Sequence, residues 1–455
     1  MCAAPTYESI DVQDLQVGMV VHLDGGWMAH PFPLSRFKIA AAEQIATIRS
    51  LGLQRVRWDR HASDLAAAAA GAQSSLDAGP DSNPLSRDPG PPAIARAETA
   101  ASPPPAPTPA PTPAVAPAAD DPARATHRAQ LARQRDALQR CERQFAEAST
   151  ACTELTRIAG ARPLVAGGQA QALSQALVSK MLGERDLCIQ LLSSAAGNKA
   201  SAHALNVAIL SLLLGRRLGL SEADMLDLGV GAVLHDVGKA ELPERVRQSE
   251  NHLIAAEVKQ YEEHVALGVA SARRMGLSTG ATLVVAQHHE HCDGSGFPQR
   301  LGADKLTLPS RIVALVNRYD KLCNPNLAAR ALTPHEALAQ LFACSAHQFD
   351  KAVMAGFIKM MGVYPPGSTV QLSDERFALV VNVNAGKPLK PSVLVHDARV
   401  PREEALVLDL QAQSGLGIRR SVKPLELPPP VLNYLAPAKR VVYFFEPAHE
   451  LAVVP

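Results

Sequence analysis

Prolines crowd one segment of this chain of 455 residues. Residues 80–122 hold 14 of the 35 prolines, many of them in Ala-Pro and Thr-Pro pairs. Proline fixes φ and has no backbone N–H to donate, so this segment cannot build a regular helix or sheet. We therefore predict a disordered Pro/Ala-rich linker over residues 73–123, with folded regions before and after it.

The folded regions differ in hydrophobic periodicity. Residues 1–72 combine short alternating stretches with one helix, which predicts a small α+β N-terminal domain. Residues 124–362 read as consecutive helices, and residues 363–455 as a β-rich C-terminal extension. The fold class is therefore mainly α, with a multi-helix bundle as its largest part. The strands predicted in the extension are Thr369–Leu372, Phe377–Val383, Ser392–Val395 and Arg440–Phe445.

Composition and charge argue against several classes of protein. Lys and Arg total 45 and Asp and Glu total 44, so no strongly basic surface for a nucleic-acid polymer is expected. No apolar run reaches the length of about 18 residues that would suggest a membrane span, and no secretory signal begins the chain. The seven cysteines are scattered and form no CxxC, which predicts reduced thiols in a cytoplasmic protein.

A helix predicted over residues 124–159 has apolar residues at every seventh position. They are Leu131, Leu138, Phe145 and Cys152. Gln134 interrupts the second apolar row, so the heptad is weak. The pattern fits a dimerising signal helix, and it fits somewhat better a helix that packs against its own domain. A homodimer and signalling-protein partners therefore both stay open.

The chemistry of the chain is concentrated in the helical region. The side chains that stand out are His203, the pair His235 and Asp236, His264, the pair His288 and His289, and Asn317. Successive gaps are 24 to 32 residues, about one helix and its return loop, so these side chains can converge in the core of a bundle. Imidazole and carboxylate together suit iron, manganese or zinc, with the first two favoured. The alternative is a set of buried structural histidines.

Two neighbouring features extend this pattern. Asp236 offers two oxygens that can bridge a pair of metals, and Lys239 would place a cation beside a substrate phosphate. Gly294, Gly296 and Pro298 define a loop suited to close approach by a ligand.

Two motifs carry a resemblance to a known family: HDVGK at residues 235–239 and HHEHCDGSGFP at residues 288–298. With them the chain resembles the HD-GYP family of cyclic di-GMP phosphodiesterases, a subgroup of the HD metal-dependent phosphohydrolases. The stretch from Asp14 to Phe32 also looks like the small domain of unknown function often found ahead of such domains.

The resemblance implies an HD-type helical bundle with two or three divalent metal ions. It further implies hydrolysis of cyclic di-GMP to pGpG or GMP by attack of a metal-bridging hydroxide. The positions that match family metal ligands are His203, His235, Asp236, His264, His288 and His289. Asp236 would bridge the metals, and Lys239 matches the lysine that meets the phosphate. The substrate loop is matched by Gly294, Gly296, Phe297 and Pro298, with Phe where the family has Tyr.

Three departures bear on activity. Asn317 stands where the family's last metal ligand is usually Asp, and Asp320 would replace it only if the helix shifted. Lys199 stands where trinuclear members have Glu, so we predict two metal ions, Fe or Mn. The family's basic, aromatic segment is replaced by residues 323–330, which leave Arg330 as a candidate contact with substrate. The alternatives are a degenerate cyclic di-GMP receiver or scaffold with little turnover, and an enzyme for another cyclic dinucleotide.

Overall fold

A computed structural model describes residues 7–23, 36–39, 42–50, 53–60, 63, 122–193, 198–248, 253–384 and 386–448. Nearly all of the predicted linker lies outside these residues, and so does the part of the N-terminal motif from Gly26 to Phe32. The described residues fall into two compact units that divide between Ala125 and Thr126.

The N-terminal unit is a four-stranded antiparallel sheet with one helix. Its order along the sheet is β1-β4-β2-β3. Val21, Ile39 and Ile48 are fully buried and form part of its core. The predicted α+β character of this region is confirmed. The elements are β1 Tyr7–Asp11, β2 Val20–His22, β3 Arg36–Lys38, α1 Ala42–Ser50 and β4 Arg55–Asp59.

Helices dominate the rest of the described chain, as predicted. They are α2 Pro122–Ile158, α3 Pro163–Leu182, α4 Lys199–Arg217, α5 Glu222–Leu234, α6 Glu244–Gln248, α7 Ala255–Arg274, α8 Thr279–Gln287, α9 Leu308–Cys323, α10 Pro334–Cys344, α11 Lys351–Met361 and α12 Pro429–Leu435. A short 3₁₀ turn at Val237–Glu241 follows α5.

Side-chain caps fix where the central helices begin. Each cap accepts a hydrogen bond from a backbone N–H that the first turn of a helix leaves unpaired. The caps of α4, α5, α8 and α9 are Asn198, Ser221, Ser278 and Thr307. These caps fix the first residue of each of the four helices, which carry or directly precede the chemistry-bearing residues.

Helix α4 lies at the centre of the bundle. It is buried on all sides from Leu205 to Gly215, which is typical of a helix surrounded by others. Helices α5 and α8 cross closely beside it, because a Cβ at Gly231 would lie only 2.4 Å from the Cβ of Val284. This crossing brings together the C-terminal ends of α5 and α8, where the HD and HH pairs lie.

The long helix α2 packs against its own unit. Phe145 and Cys152 of the heptad row are buried in the same core as α4. Gln134, which interrupts the second apolar row, exchanges two 3.0 Å hydrogen bonds with the backbone of Val407. Of the two interpretations of this helix, the structure favours intramolecular packing.

Six strands of the C-terminal extension and one strand from the helical region form a seven-stranded antiparallel sheet. Its main path is β10-β6-β7-β5-β11, and β8 joins β7 to β9. All four predicted strands are present, three of them with the same or nearly the same bounds, whereas the strand predicted over Arg440–Phe445 is observed at Tyr443–Pro447. The strands are β5 Leu187–Leu191, β6 Thr369–Leu372, β7 Phe377–Asn384, β8 Ser392–Val395, β9 Val407–Asp409, β10 Ile418–Ser421 and β11 Tyr443–Pro447.

Strand β5 was not predicted from the sequence. It lies inside the region read as consecutive helices, yet it pairs with β7 on one side and β11 on the other. All five of its residues are buried, and a short continuous apolar run cannot be distinguished from a helix segment by periodicity. The extension is therefore tied to the helical region through the interior of one sheet.

Two further observations bear on the sequence predictions. The cysteines in the described residues, Cys141, Cys152, Cys188, Cys292, Cys323 and Cys344, are unpaired thiols. Within the described part of the chain, no helix combines the length and apolar character that crossing a bilayer requires.

Candidate metal centre

Five helices bring the predicted site residues to one place. His203 lies in the first turns of α4, and His264 lies in the middle of α7. His235 and His288 occupy the C-caps of α5 and α8, and Asp236 and His289 follow them directly. Asn317 belongs to α9, where it is buried.

These side chains form two groups that share one residue. In the first group, ligand atoms of His203, His235 and Asp236 lie within 4.8 Å of one another. In the second group, the same holds for Asp236 with His264, His288 and His289. Each group has the mixture of imidazole and carboxylate that divalent transition metals accept.

Asp236 turns one oxygen toward each group. Its Oδ2 lies 3.6 Å from the Nε2 of His203 and 3.5 Å from the Nε2 of His235. Its Oδ1 lies 3.6 Å from the Nε2 atoms of His264 and His288. Among the described residues, this buried Oδ1 has no hydrogen-bond donor. The carboxylate therefore has the placement of a bridge between two cations.

The imidazoles direct lone pairs at one another. The Nδ1 atoms of His264 and His288 face the backbone carbonyl oxygens of Tyr261 and Val285. A carbonyl only accepts, so each Nδ1 carries the hydrogen and each Nε2 is a bare acceptor in the neutral ring. These Nε2 atoms lie only 3.3 Å apart. Two lone pairs at that distance repel, and a cation between them would remove the repulsion.

The first group repeats this arrangement. The Nδ1 of His235 faces the carbonyl oxygen of Ala232 at 2.7 Å, and the Nδ1 of His203 faces the carboxylate of Asp320 at 2.6 Å. Neither oxygen can donate, so both Nε2 atoms again carry lone pairs in the neutral rings. They lie 3.2 Å apart. The donor set of each group thus fits a metal ion.

Burial keeps most of these histidines neutral. Burial lowers the pKa of His264 to about 3 and the pKa of His288 to about 4, despite the opposing effect of Asp236. Burial also lowers the pKa values of His235 and His289. A metal can bind these rings without first displacing protons, because neutral imidazole is the coordinating form.

Asp236 is held ionised by the cation beside it. Burial alone would raise its pKa, but Lys239 and the nearby imidazoles lower it well below the ordinary value. The Nζ of Lys239 donates to Oδ2 at 2.7 Å and lies 5.2 Å from the ring centre of Tyr261. Burial would lower the pKa of Lys239, and the charge of Asp236 raises it instead. The pair is therefore charged on both sides.

Gly238 explains why the HDVGK motif needs a glycine. A Cβ at this position would lie 2.0 Å from the carbonyl oxygen of His264 and 2.4 Å from the backbone nitrogen of Gly268. The 3₁₀ turn can approach α7 only without a side chain there. This contact brings Asp236 and Lys239 against the helix that carries His264.

Asn317 lies beside the second group. It lines the same cavity as His288 and His289. Its side chain is 2% exposed, and in the described part of the chain no donor reaches its Oδ1. The Nε2 of His289 is likewise buried without a partner among these residues. Such orphaned polar atoms are costly unless a ligand or ion meets them.

The loop after α8 is shaped by its two glycines. Gly294 has a φ of +76°, and a Cβ at Gly296 would lie 2.4–2.5 Å from backbone atoms of residues 289–291. The loop can therefore fold back on the HH pair. There the ring of Phe297 stacks on His289 with centroids 4.4 Å apart, and Pro298 follows it. Glu290 closes the loop by accepting backbone hydrogen bonds from Gln299 and Leu301.

An open cavity of about 600 Å³ adjoins the second group. Phe297 and Arg330 line it, and so do three residues that the sequence analysis did not identify: Tyr261, Arg318 and Lys321. Lys321 donates to the Tyr261 hydroxyl at 3.3 Å. Helical spacing could have identified two of these residues from the sequence. Tyr261 precedes His264 by three residues and Lys321 follows Asn317 by four, so each lies on the same helix face as a predicted ligand.

Two residues singled out as departures have defined contacts. The Nζ of Lys199 donates to the carbonyl oxygen of Pro325 at 2.9 Å and to the side chain of Asn326. Asp320 contacts the Nδ1 of His203, on the side of the ring opposite to the Nε2 that faces Asp236. In the observed register of the helix, Asp320 therefore lies behind His203 and not among the ligand atoms of either group. It orients a member of the first group.

Comparisons with known proteins agree with this geometry. Residues 186–353 match the family model of the HD domain, and residues 7–170 match the Domain of unknown function (DUF3391). Cyclic di-GMP phosphodiesterase PA4108 of Pseudomonas aeruginosa is 28% identical over 196 residues, covering 42% of this chain and 47% of that protein. The cyclic di-GMP phosphodiesterase response regulator RpfG of Xanthomonas campestris pv. campestris is 33% identical over 141 residues, covering 30% and 37%. The 3'3'-cGAMP-specific phosphodiesterase 2 of Vibrio cholerae is 33% identical over 130 residues, covering 28% and 25%.

The helical region, residues 186–353, is therefore similar to the HD domain. Within it, the motifs at residues 235–239 and 288–298 resemble those of the HD-GYP family. The chain spans about a quarter to a half of the length of these relatives.

Proposed function

We propose that this protein is a metal-dependent phosphodiesterase that hydrolyses cyclic di-GMP to pGpG or GMP. One observation carries the proposal: a single carboxylate, Asp236, turns one oxygen toward each of two histidine groups beside a cavity with cationic walls. The names of two of the relatives above specify the same substrate.

Two metal ions, Fe or Mn, fit the ligand groups. His203 and His235 would hold one ion, and His264, His288 and His289 the other, with Asp236 shared between them. Asn317 would contribute its neutral amide oxygen on the cavity side. When bound, such a pair supplies an activated water and neutralises the charge on a phosphoryl oxygen. Lys199 places a cation where a third ion would need an acidic ligand, and this supports two ions.

The cavity residues can bind and orient a dinucleotide. Each phosphodiester carries a negative charge, and Arg318, Lys321 and Arg330 supply opposing charges along the wall. Lys239 stands beside the bridging carboxylate, where it can meet a phosphate oxygen near the metals. Tyr261 and Phe297 present aromatic rings on which a base can stack. Gly294, Gly296 and Pro298 act through the loop that positions Phe297.

The unpaired cysteines support a cytoplasmic location, since reduced thiols are typical of that compartment. A bacterial second messenger as substrate agrees with the same location. Signalling-protein partners and a homodimer are compatible with the proposal, and no described contact specifies either.

The test uses the full chain, purified anaerobically and loaded with Mn²⁺ or Fe²⁺. Metal content is measured first, and cyclic di-GMP and 3'3'-cGAMP are then supplied separately under reducing conditions. We expect about two metal ions per chain and a linear product from cyclic di-GMP, separated by chromatography. Binding of cyclic di-GMP without product by protein that holds two metals would instead identify a receiver. Cleavage of 3'3'-cGAMP alone would correct the substrate.

A further inference from the structure

A buried hydrogen-bond network stands behind His203. Asp320 accepts hydrogen bonds from the Nδ1 of His203 at 2.6 Å, from the Nδ2 of Asn206 at 2.8 Å and from the Nδ2 of Asn324 at 2.9 Å. Asn206 and Asp320 are each 1% exposed. A carboxylate with three donors in such surroundings has a fixed orientation, and it therefore fixes the imidazole that it contacts.

Both asparagines also hold the backbone where strand β11 begins. Each donates to the carbonyl oxygen of Val441, at 2.8 Å from Asn206 and 2.9 Å from Asn324. Asn206 accepts from the backbone nitrogen of Tyr443 at 3.0 Å, and Asn324 accepts from that of Val441 at 2.9 Å. We call Asp320, Asn206 and Asn324 the Asp320 network.

The amides are used to their full capacity, which makes the network directional. Each Nδ2 donates one hydrogen to Asp320 and the other to Val441, and each Oδ1 accepts a backbone N–H. Rotating either amide by 180° would place an oxygen against the carboxylate and an NH₂ against a backbone N–H. The C-terminal segment therefore determines which way both amides face, and the amides determine where Asp320 lies.

We propose that the segment Val441–Tyr443 positions His203 for metal binding through the Asp320 network. The network keeps the hydrogen on Nδ1, so that Nε2 presents its lone pair to the first ligand group. The β-rich C-terminal extension thus supports the metal centre, although none of its described residues belongs to either ligand group. The inference rests on the proposed function only through the metal site.

Asn324 is the residue to change, because it bonds both Asp320 and Val441 from the C-cap of α9. Asn324→Asp would turn an oxygen toward two acceptors and repel them. We expect the ion held by the first group to bind about 10–100-fold more weakly. At a metal concentration that just fills both sites of the wild-type protein, this variant should therefore hold one ion per chain and not two. Asn324→Ala, which removes the donors without repulsion, should weaken the same ion less.

Tyr443→Phe is the matched control. It removes the hydroxyl that contacts Tyr319 at 3.0 Å and Pro366 at 3.2 Å on the same strand, and it leaves the amide contacts intact. We expect lower thermal stability with two metals retained. The double variant Asn324→Asp/His203→Ala is compared with His203→Ala alone. If Asn324 acts on the metal only through His203, both should bind the same amount of metal.

The outcomes separate this inference from the proposed function. Wild-type protein without bound metal would contradict the proposed function itself. Wild-type protein that binds two ions, with both Asn324 variants folded and binding two ions equally tightly, would overturn the positioning role. Equal loss of metal in Tyr443→Phe would overturn it as well, because the loss would then follow stability and not the network.

Discussion

The two ligand groups on either side of Asp236 are held in different ways. His264 and His288 donate from Nδ1 to carbonyl oxygens three residues earlier in their own helices. His235 does the same with Ala232. The Nδ1 of His203 instead faces Asp320, which is 117 residues away in sequence. Local helical geometry therefore orients His264 and His288 of the second group and His235 of the first, whereas His203 of the first group depends on a contact between distant segments.

This difference predicts unequal metal affinities. A ring oriented by its own helix is in place whenever that helix is packed. His203 additionally requires α9 and the C-terminal strand to be in place. We expect the second group to fill first and the first group to be the more easily emptied by a chelator.

The largest effect is expected from the residue that joins the groups. Asp236→Ala removes the bridge and leaves Lys239 without its partner, so both ions should be lost. Turnover should fall on the order of 10³-fold or more, since metal activation is worth several kcal/mol. Metal analysis and product formation are the measurements, with Asp236→Asn as the isosteric control for folding. Full turnover in either folded variant would show that the carboxylate is not the bridge.

Single histidine changes should separate the groups. His203→Ala should leave one tightly bound ion, because the second group keeps all its ligands. His264→Ala should weaken binding of the ion that fills first. At a metal concentration that just fills both sites of the wild-type protein, its metal content should be lower than that of His203→Ala. Titration with Mn²⁺, followed by metal analysis, measures both affinities. If the two variants lose the same ion with the same affinity, the division into two groups is wrong.

Acid should destabilise the metal-free protein through the second group. His264 and His288 have folded pKa values of about 3 and about 4, below the ordinary value of 6.5. The unfolded chain therefore binds more protons between pH 4 and 6.5, and the free energy of unfolding falls as pH falls. Each histidine adds a slope of up to about 1.4 kcal/mol per pH unit. Denaturant unfolding with chelator present measures this slope, and His288→Gln should reduce it. An unchanged slope in that variant would contradict the assignment.

Particular residues show how far the sequence could predict this molecule. The strands Thr369–Leu372 and Ser392–Val395 were predicted with their observed bounds, because short stretches rich in β-branched and apolar residues stand out in this region of the sequence. The histidines were found because their spacing matches helix and loop lengths. Sequence periodicity reports local structure, and these features are local.

The features that were missed depend on contacts between distant segments. Strand β5 is defined by its partners β7 and β11 and not by its own pattern. Asp320 was considered only as an alternative ligand that would require a shift of the helix, and its contacts with His203 and Asn206 span 117 and 114 residues. Spacing along one helix cannot reveal that a carboxylate stands behind an imidazole of another helix.

A smaller effect is expected from a substitution in the wall of the cavity beside the second group. Lys321→Met removes a cation from its wall, and the KM for cyclic di-GMP should rise by about 30-fold, the scale of one hydrogen bond to a charged group. The kcat should change little if the contact is equal in the ground and transition states. Lys259→Met, on the exposed side of α7, is the matched control. An unchanged KM would remove Lys321 from the substrate site.

The smallest effect tests whether the neutral amide weakens the second group. Asn317→Asp adds a negative charge on the cavity side, where the Oδ1 of Asn317 has no donor within the described residues. Desolvation of the new carboxylate offsets most of its attraction for a cation, so we expect metal binding to tighten by only about threefold. The same charge has no cation to meet in metal-free protein, whose melting temperature should fall. The metal titration should therefore show a higher affinity, and the melting curve with chelator should show a lower melting temperature. Tighter binding at the first group instead would place Asn317 on the other side of Asp236, and the contrast between the two groups would have to be redrawn.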